Sequence, residues 1–131
     1  MISLFFPLSP VPWQRAGQSK NHFYTKPETA NYKQAIALYA RNQYKENPLT
    51  VCLTVEFIFY IKKPKHPKYI YPTNSDFDNL AKSVSDALNG IIWKDDRLIS
   101  DSMIRKRYCT DGGNGSIKLN IWLSHEKTPF D

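Results

Sequence analysis

Acidic side chains are concentrated in a short stretch of the chain, residues 74–96. Asp76 and Asp78 are separated by one residue where an extended segment turns into a predicted helix. In an extended backbone alternate side chains leave on the same side, so both carboxylates can converge on one point. A second acidic pair, Asp95 and Asp96, follows the helix after a short connection that could return it toward the helix start.

Carboxylates gathered at one place repel one another, and a hard divalent cation is the usual compensation. Oxygen ligands without His or Cys suit Mg²⁺, with Mn²⁺ as the alternative. Such a metal activates water and stabilises the charge of a phosphodiester under attack. Lys82, one helical turn after Asp78, adds a positive charge for a phosphate oxygen. We therefore take Asp76, Asp78 and Asp96 as candidate metal ligands, and these three with Lys82 as candidate catalytic residues.

The same residues also have an ordinary structural interpretation. Ser75 or Asp76 could cap the helix, and Asp78 could occupy a first turn in which the helix dipole favours an acid. Asp78 and Lys82 could form an exposed ion pair worth ~0.2–0.5 kcal/mol. The second acidic pair and the basic character of the chain favour the metal site over this interpretation.

The hydrophobic pattern predicts the elements that would position these acids. Apolar and polar side chains alternate from Leu49 to Ile61, which predicts a long strand with one buried face. Helices are predicted over about residues 27–44 and 77–89, and Gly90 is placed to terminate the second.

Shorter strands are predicted over residues 2–6, 98–109 and 116–123, with a hairpin turn at the glycine-rich segment 111–115. Residues 13–24 are predicted to form an irregular loop. The order β-α-β-α-β-β favours one α/β domain over residues 1–131. We expect a single-domain sandwich in which two helices cover one face of a mixed β-sheet.

Charge and composition indicate the kind of partner. The 131 residues are enough for one hydrophobic core, and the formal net charge of +6 suits a polyanion such as DNA. Basic residues flank the acidic segment on both sides, and six are candidate DNA contacts: Lys62, Lys63, Lys65, Lys68, Arg105 and Arg107. Solvated charges that protect a sheet edge are the alternative for the two arginines.

The chain shows no signal-peptide pattern and no apolar run long enough to span a membrane, so we expect a cytoplasmic protein. The two cysteines, Cys52 and Cys109, are expected to be free, buried thiols of a reducing compartment.

The segment DFDNLAKSVSDALNGIIWKDD resembles the signature of the RusA family of crossover junction endodeoxyribonucleases, in which D-x-D-N-x-x-K precedes D-A-L and a D-D pair. The resemblance implies that Asp76, Asp78 and Asp96 bind metal and that Lys82 assists. It also implies a homodimer, because two opposed nicks in a four-way junction require two active sites related by a two-fold axis. The roles of Asp86 and Asp95 stay open between indirect support of the site and a solvated position.

The leading hypothesis is therefore a Mg²⁺-dependent endonuclease, a hydrolase of phosphodiesters in branched DNA that resolves four-way (Holliday) junctions by paired nicks. Such an activity belongs to DNA recombination and repair. Two alternatives remain: a nuclease of the same chemistry that acts on another DNA structure, and a non-catalytic basic DNA-binding module whose acids are structural.

Overall fold

The computed structural model describes residues 1–14, 26–110 and 112–131, together with the backbone of residues 17–19 and 22–24. Its helices and strands are, in chain order, β1 (Ile2–Phe6), β2 (Gly17–Ser19), β3 (His22–Tyr24), α1 (Pro27–Gln43), β4 (Leu53–Ile61), α2 (Phe77–Leu88), β5 (Ile99–Tyr108) and β6 (Gly115–Leu123). A short 3-10 helix, Asp96–Leu98, lies between α2 and β5. The predicted order β-α-β-α-β-β is confirmed, with β2 and β3 as an addition.

The four long strands form one mixed sheet in the order β1-β6-β4-β5. Strands β4 and β5 are parallel, and the other neighbours are antiparallel. Alternate side chains of β4 are buried, as their spacing predicts. The helices cover this face of the sheet and complete the core with Tyr32, Ile36, Ala40, Leu80, Val84 and Leu88. The expected α/β sandwich is confirmed.

The strand predicted over Leu49–Ile61 begins later, at Leu53. The Leu49 N–H donates to the Ile92 carbonyl at 2.8 Å, and the Leu49 carbonyl accepts from the Lys94 N–H at 2.9 Å. These bonds pair Leu49 with the turn after α2 and keep it out of the sheet. Val51, predicted to face the core, is exposed as a result.

The hairpin predicted at residues 111–115 is wrong, because β4 lies between β5 and β6. The connection crosses the end of β4 instead, through a turn in which the Gly113 N–H donates to the Thr110 carbonyl at 3.1 Å. Gly112 has a φ of 75°, which suits glycine. Asp111 lies outside the described residues. A glycine-rich turn reverses the chain but does not decide which strands pair.

The irregular loop predicted for residues 13–24 is also wrong in part. The backbones of β2 and β3 pair as a two-stranded antiparallel hairpin. Each strand has three residues, too few for a periodic pattern to reveal it.

Helix α2 connects the parallel strands β4 and β5 and ends where predicted, with Gly90 at a φ of 78°. The chain then returns through the fully buried Ile92 and Trp93. The Trp93 indole N–H donates to the Asn89 side chain at 3.1 Å, which ties the returning segment to the end of α2. The 3-10 helix and the edge strand β5 are therefore brought alongside α2.

No helix within the described ranges is long and apolar enough to cross a membrane. Both cysteines are free, as expected, but Cys52 is exposed and Cys109 is half-buried. The expectation that both thiols are buried is wrong, because Cys52 precedes the strand that was predicted to contain it.

Candidate active site between α2 and β5

The start of α2 carries the first two candidate acids. Asp76 is the N-cap residue with extended backbone angles, φ −69° and ψ 135°, and Asp78 lies in the first turn. Both side chains are exposed. The Asp76 carboxylate makes no capping hydrogen bond, so it does not stabilise the start of the helix in that way. The Asp78 carboxylate accepts one hydrogen bond, from the Asn79 N–H at 3.0 Å.

A groove of about 390 Å³ runs between α2 and β5, and three of the four candidate catalytic residues line it. Three acids line it, Asp78 and Asp86 from α2 and Asp96 from the 3-10 helix, and Lys82 lines it between the two helix acids. Ser102 and Ile104 of β5 face the same space. Asp76 is not among the lining residues and stands just before the groove, at the N-cap of α2.

The pKa of Asp96 depends on its burial and on the charges of neighbouring acids. Partial burial is the largest cause that raises the pKa of Asp96, and the negative charges of Asp86 and Asp95 raise it further. A hydrogen bond with the Asn89 side chain acts in the opposite direction. Asp86, whose role the sequence leaves open, is therefore close enough to act on Asp96 across the groove.

Asp95 has a different function from its neighbour. Its side chain accepts a hydrogen bond from the Arg97 N–H at 2.9 Å and so caps the 3-10 helix. That bond is the largest cause that lowers the pKa of Asp95. The Arg97 guanidinium also lies 3.3 Å from the same carboxylate. Of the acidic pair, Asp96 faces the groove and Asp95 stabilises the turn.

Lys82 is not used in the ion pair that helical spacing suggests. Among the described residues it forms no salt bridge with Asp78, and its Nζ lies 4.1 Å from the centroid of the Trp13 ring. The backbone N–H of Trp13 in turn donates to the Asn79 carbonyl at 2.9 Å. Trp13 was missed at the sequence level because nothing in its local pattern indicates a contact with a helix far along the chain.

Lys106 is a second residue that the sequence analysis missed. It pairs with the buried Phe59 and therefore lies on the helix-covered face of β5. Its Nζ donates to the Ser75 carbonyl at 2.7 Å, immediately before Asp76. The signal was present in the strand alternation, since Arg105 and Arg107 on one face place Lys106 on the other.

The basic residues predicted to contact DNA fall into two groups. Lys62, Lys63, Lys65 and Lys68 are exposed in the loop that leads from β4 to the start of α2. Arg105 and Arg107 share one face of β5, which is the face opposite the helices. Arg105 Nε binds Glu56 at 3.0 Å, and the Arg107 guanidinium lies 4.3 Å from the centroid of the Tyr71 ring. None of the six residues lines the groove, and the lysine loop is the group that precedes Asp76 in the chain.

The chemistry of the groove fits a hard divalent cation better than any other metal. Its lining offers three carboxylates and two serine hydroxyls, and neither His nor Cys. In the described parts of the chain, no three His, Cys, Asp or Glu side chains are close enough together to surround one ion. The donor types are therefore appropriate for Mg²⁺, whereas the closed arrangement of three carboxylates expected from the sequence is not formed.

A comparison with protein families identifies the family of the chain. The model of the family described as endodeoxyribonuclease RusA matches residues 7–121 of the 131-residue chain. The match includes the start of α2, the groove and all of β5. No curated protein is similar enough in sequence to be matched. Because the family match covers most of the chain, including every candidate acid, the protein belongs to the RusA family of endodeoxyribonucleases.

Proposed function

We propose that the protein is a Mg²⁺-dependent endonuclease that resolves four-way DNA junctions by paired nicks. One observation carries the proposal: Asp78, Lys82 and Asp96 line a single groove in an endodeoxyribonuclease of the RusA family. Branched DNA as the substrate follows from the family. Because the substrate is DNA, we also retain the cytoplasm as the proposed location.

The residues that would hold the ion are Asp76, Asp78 and Asp96. When bound, Mg²⁺, or Mn²⁺ in its place, would supply Lewis-acid stabilisation of the phosphodiester and lower the pKa of water. Lys82 places a positive charge beside the same groove, where it would stabilise the negative charge that develops on the phosphate. Asp86 would support the site indirectly, because its negative charge lies close enough to Asp96 to raise the pKa of that acid and would attract the same cation.

DNA recognition is assigned mainly to the lysine loop, Lys62–Lys68. It is exposed and directly precedes the segment that ends in Asp76, so a backbone bound along it would lead into the groove. Lysines that neutralise phosphates release counterions and contribute affinity without reading sequence. Arg105 is a weaker candidate because Glu56 already binds it, and Arg107 would reach DNA only around the edge of β5.

A homodimer would supply the two active sites that paired nicks require. A supercoiled plasmid with an extruded cruciform tests both parts of the proposal. Paired nicks within one binding event convert the plasmid directly to the linear form, whereas independent nicks first accumulate an open circle. We expect linear product in Mg²⁺ and none in EDTA, and no cleavage of a plasmid that lacks the inverted repeat.

The matched control for this experiment is Asp78→Asn, which removes a carboxylate charge but keeps the side-chain volume. We expect it to bind a synthetic four-way junction and not to cleave it. Cleavage of linear duplex at the same rate as the junction would favour a nuclease for another DNA structure. Binding without cleavage by the wild-type protein would favour the non-catalytic DNA-binding module.

A further inference from the structure

Trp13 is fixed in place beside the groove although it belongs to a distant part of the chain. It follows β1, it is half-buried, and the main chain around it is anchored at two points. The backbone N–H of Trp13 donates to the Asn79 carbonyl of α2 at 2.9 Å. Two residues earlier, Val11 packs against the hydrophobic core. The main chain of Trp13 is therefore fixed against α2, and its ring lies against the Lys82 ammonium.

Lys82 has two acidic neighbours at helical spacing, Asp78 one turn before it and Asp86 one turn after it. Both line the same groove. Within the described residues, Lys82 forms a salt bridge with neither, and its ammonium lies over the Trp13 ring at 4.1 Å. The negative face of an indole attracts a cation electrostatically, and Trp is the most effective of the aromatic side chains.

The kind of partner determines whether the positive charge of Lys82 is compensated. A carboxylate would neutralise the ammonium and accept its hydrogen bonds. An aromatic face restrains the ammonium but leaves it a full positive charge and N–H donors directed away from the ring. A lysine held in this way remains available to a phosphate oxygen, and it stays clear of the carboxylates that would bind metal.

We propose that Trp13 is a positioning residue for Lys82, which it holds at the groove in a charged and unpaired state. This inference rests on the role of Lys82 in the proposed function. Trp13 acts through Lys82 and not by contact with DNA. Two consequences follow. Removal of the Trp13 ring should slow cleavage without weakening DNA binding, and this loss of rate should occur only while Lys82 is present.

The test is a double-mutant cycle with Trp13→Leu, Lys82→Met and the double variant. The single-turnover rate on a four-way junction is measured at saturating protein and Mg²⁺, and junction affinity is measured in EDTA. We expect Trp13→Leu to slow cleavage by about 5- to 20-fold, with affinity unchanged. In the Lys82→Met background the same substitution should have no further effect on the rate.

Trp13→Phe serves as the matched control, since it keeps an aromatic face in the same position. It should retain most of the wild-type rate, and melting curves of all variants establish that they are folded. An equal rate loss from Trp13→Leu with and without Lys82 would overturn the proposal. A loss of junction affinity in both backgrounds would also overturn it, because Trp13 would then contact DNA directly.

A readout independent of activity separates this inference from the proposed function. A proton above an aromatic face is shifted upfield in NMR spectra, so the Lys82 ε-methylene signals should be shifted in the wild-type protein and normal in Trp13→Leu. If the shift is present but no DNA is cleaved, the proposed function fails and the inference fails with it. If DNA is cleaved but the shift is absent, the inference alone is overturned.

Discussion

Asp96 is the acid whose ionisation the fold makes costly. Its raised pKa means that the charged carboxylate is less stable in the folded protein than in the unfolded chain, first through partial burial and then through Asp86 and Asp95. The metal-free protein therefore carries this cost at every pH above the raised value, and the cost disappears as the pH falls below the ordinary value of 3.8. A divalent cation would relieve the same repulsion.

Asp96→Asn should therefore stabilise the metal-free protein at neutral pH. The amide removes the charge and nearly preserves the volume. Because the site is largely solvated, we expect a rise in melting temperature of at most about 3 °C at pH 7 in EDTA. Differential scanning calorimetry should show the difference shrinking as the pH is lowered toward 4, the sign expected for an acid with a raised pKa.

Asp95→Asn is the control, and it should change stability in the opposite direction. The Asp95 carboxylate accepts the Arg97 N–H at 2.9 Å and caps the 3-10 helix, so its charge is stabilising. The substitution should lower the melting temperature. If Asp96→Asn instead melts at or below the wild-type temperature at pH 7, the repulsion assigned to the groove is absent.

At the scale of elements, the start of α2 is held by the strand beside it. Lys106 reaches from β5 to the Ser75 carbonyl at 2.7 Å and so fixes the backbone that leads into Asp76. The lysine lies on the helix-covered face of an edge strand and is partly buried. A small rotation of the helix start would move Asp76 relative to Asp78 and Asp96, so we expect this contact to affect the proposed metal site.

Lys106→Met should raise the Mg²⁺ concentration needed for half-maximal cleavage. Supporting contacts around metal ligands are typically worth 10- to 100-fold in affinity, and we expect roughly tenfold for a contact one residue from the nearest ligand. A Mg²⁺ titration of single-turnover cleavage measures it. Lys118→Met, an exposed lysine on the opposite sheet face, is the control and should leave the midpoint unchanged. An unaltered midpoint in Lys106→Met would show that the contact does not position Asp76.

The lysine loop before α2 should determine part of the salt dependence of junction binding. Each phosphate contact that is lost lowers the slope of log K against log salt by about 1. Replacing Lys65 and Lys68 by Ala should therefore flatten the slope by up to about 2. Lys118 and Lys127, which are exposed outside this loop, form the control pair of equal charge. A slope that changes equally in both double variants would mean that the effect comes from net charge alone.

The elements around the groove differ in how far the sequence predicts them. Strand β4 and helix α2 were predicted because a buried face leaves a regular pattern, alternation in the strand and a stripe of Leu80, Val84 and Leu88 in the helix. The neighbours of β5 in the sheet were not predicted, because strand pairing depends on contacts across the whole chain. The hydrogen bond from Lys106 to Ser75 is likewise a contact between distant parts of the chain. The cap made by Asp95 is local, but it does not belong to the hydrophobic pattern from which the elements were predicted.

At the scale of the whole molecule, three independent features agree on a nuclease. The chain carries a formal net charge of +6, the RusA family model matches residues 7–121, and the groove beside α2 gathers oxygen ligands and one lysine. Spacing and the resemblance to the RusA family predicted Asp96 as the metal ligand of the Asp95-Asp96 pair, but they left the role of Asp95 open. The structure separates the two, and this difference offers the sharpest test.

That test is the single-turnover rate of junction cleavage in Mg²⁺ by Asp96→Asn and Asp95→Asn, side by side with the wild type. The two substitutions make the same chemical change at adjacent positions, one facing the groove and one capping a turn. We predict a loss of at least about 100-fold for Asp96→Asn and a rate close to wild type for Asp95→Asn. Equal losses in both variants, or the larger loss in Asp95→Asn, would contradict the assignment of the groove as the active site.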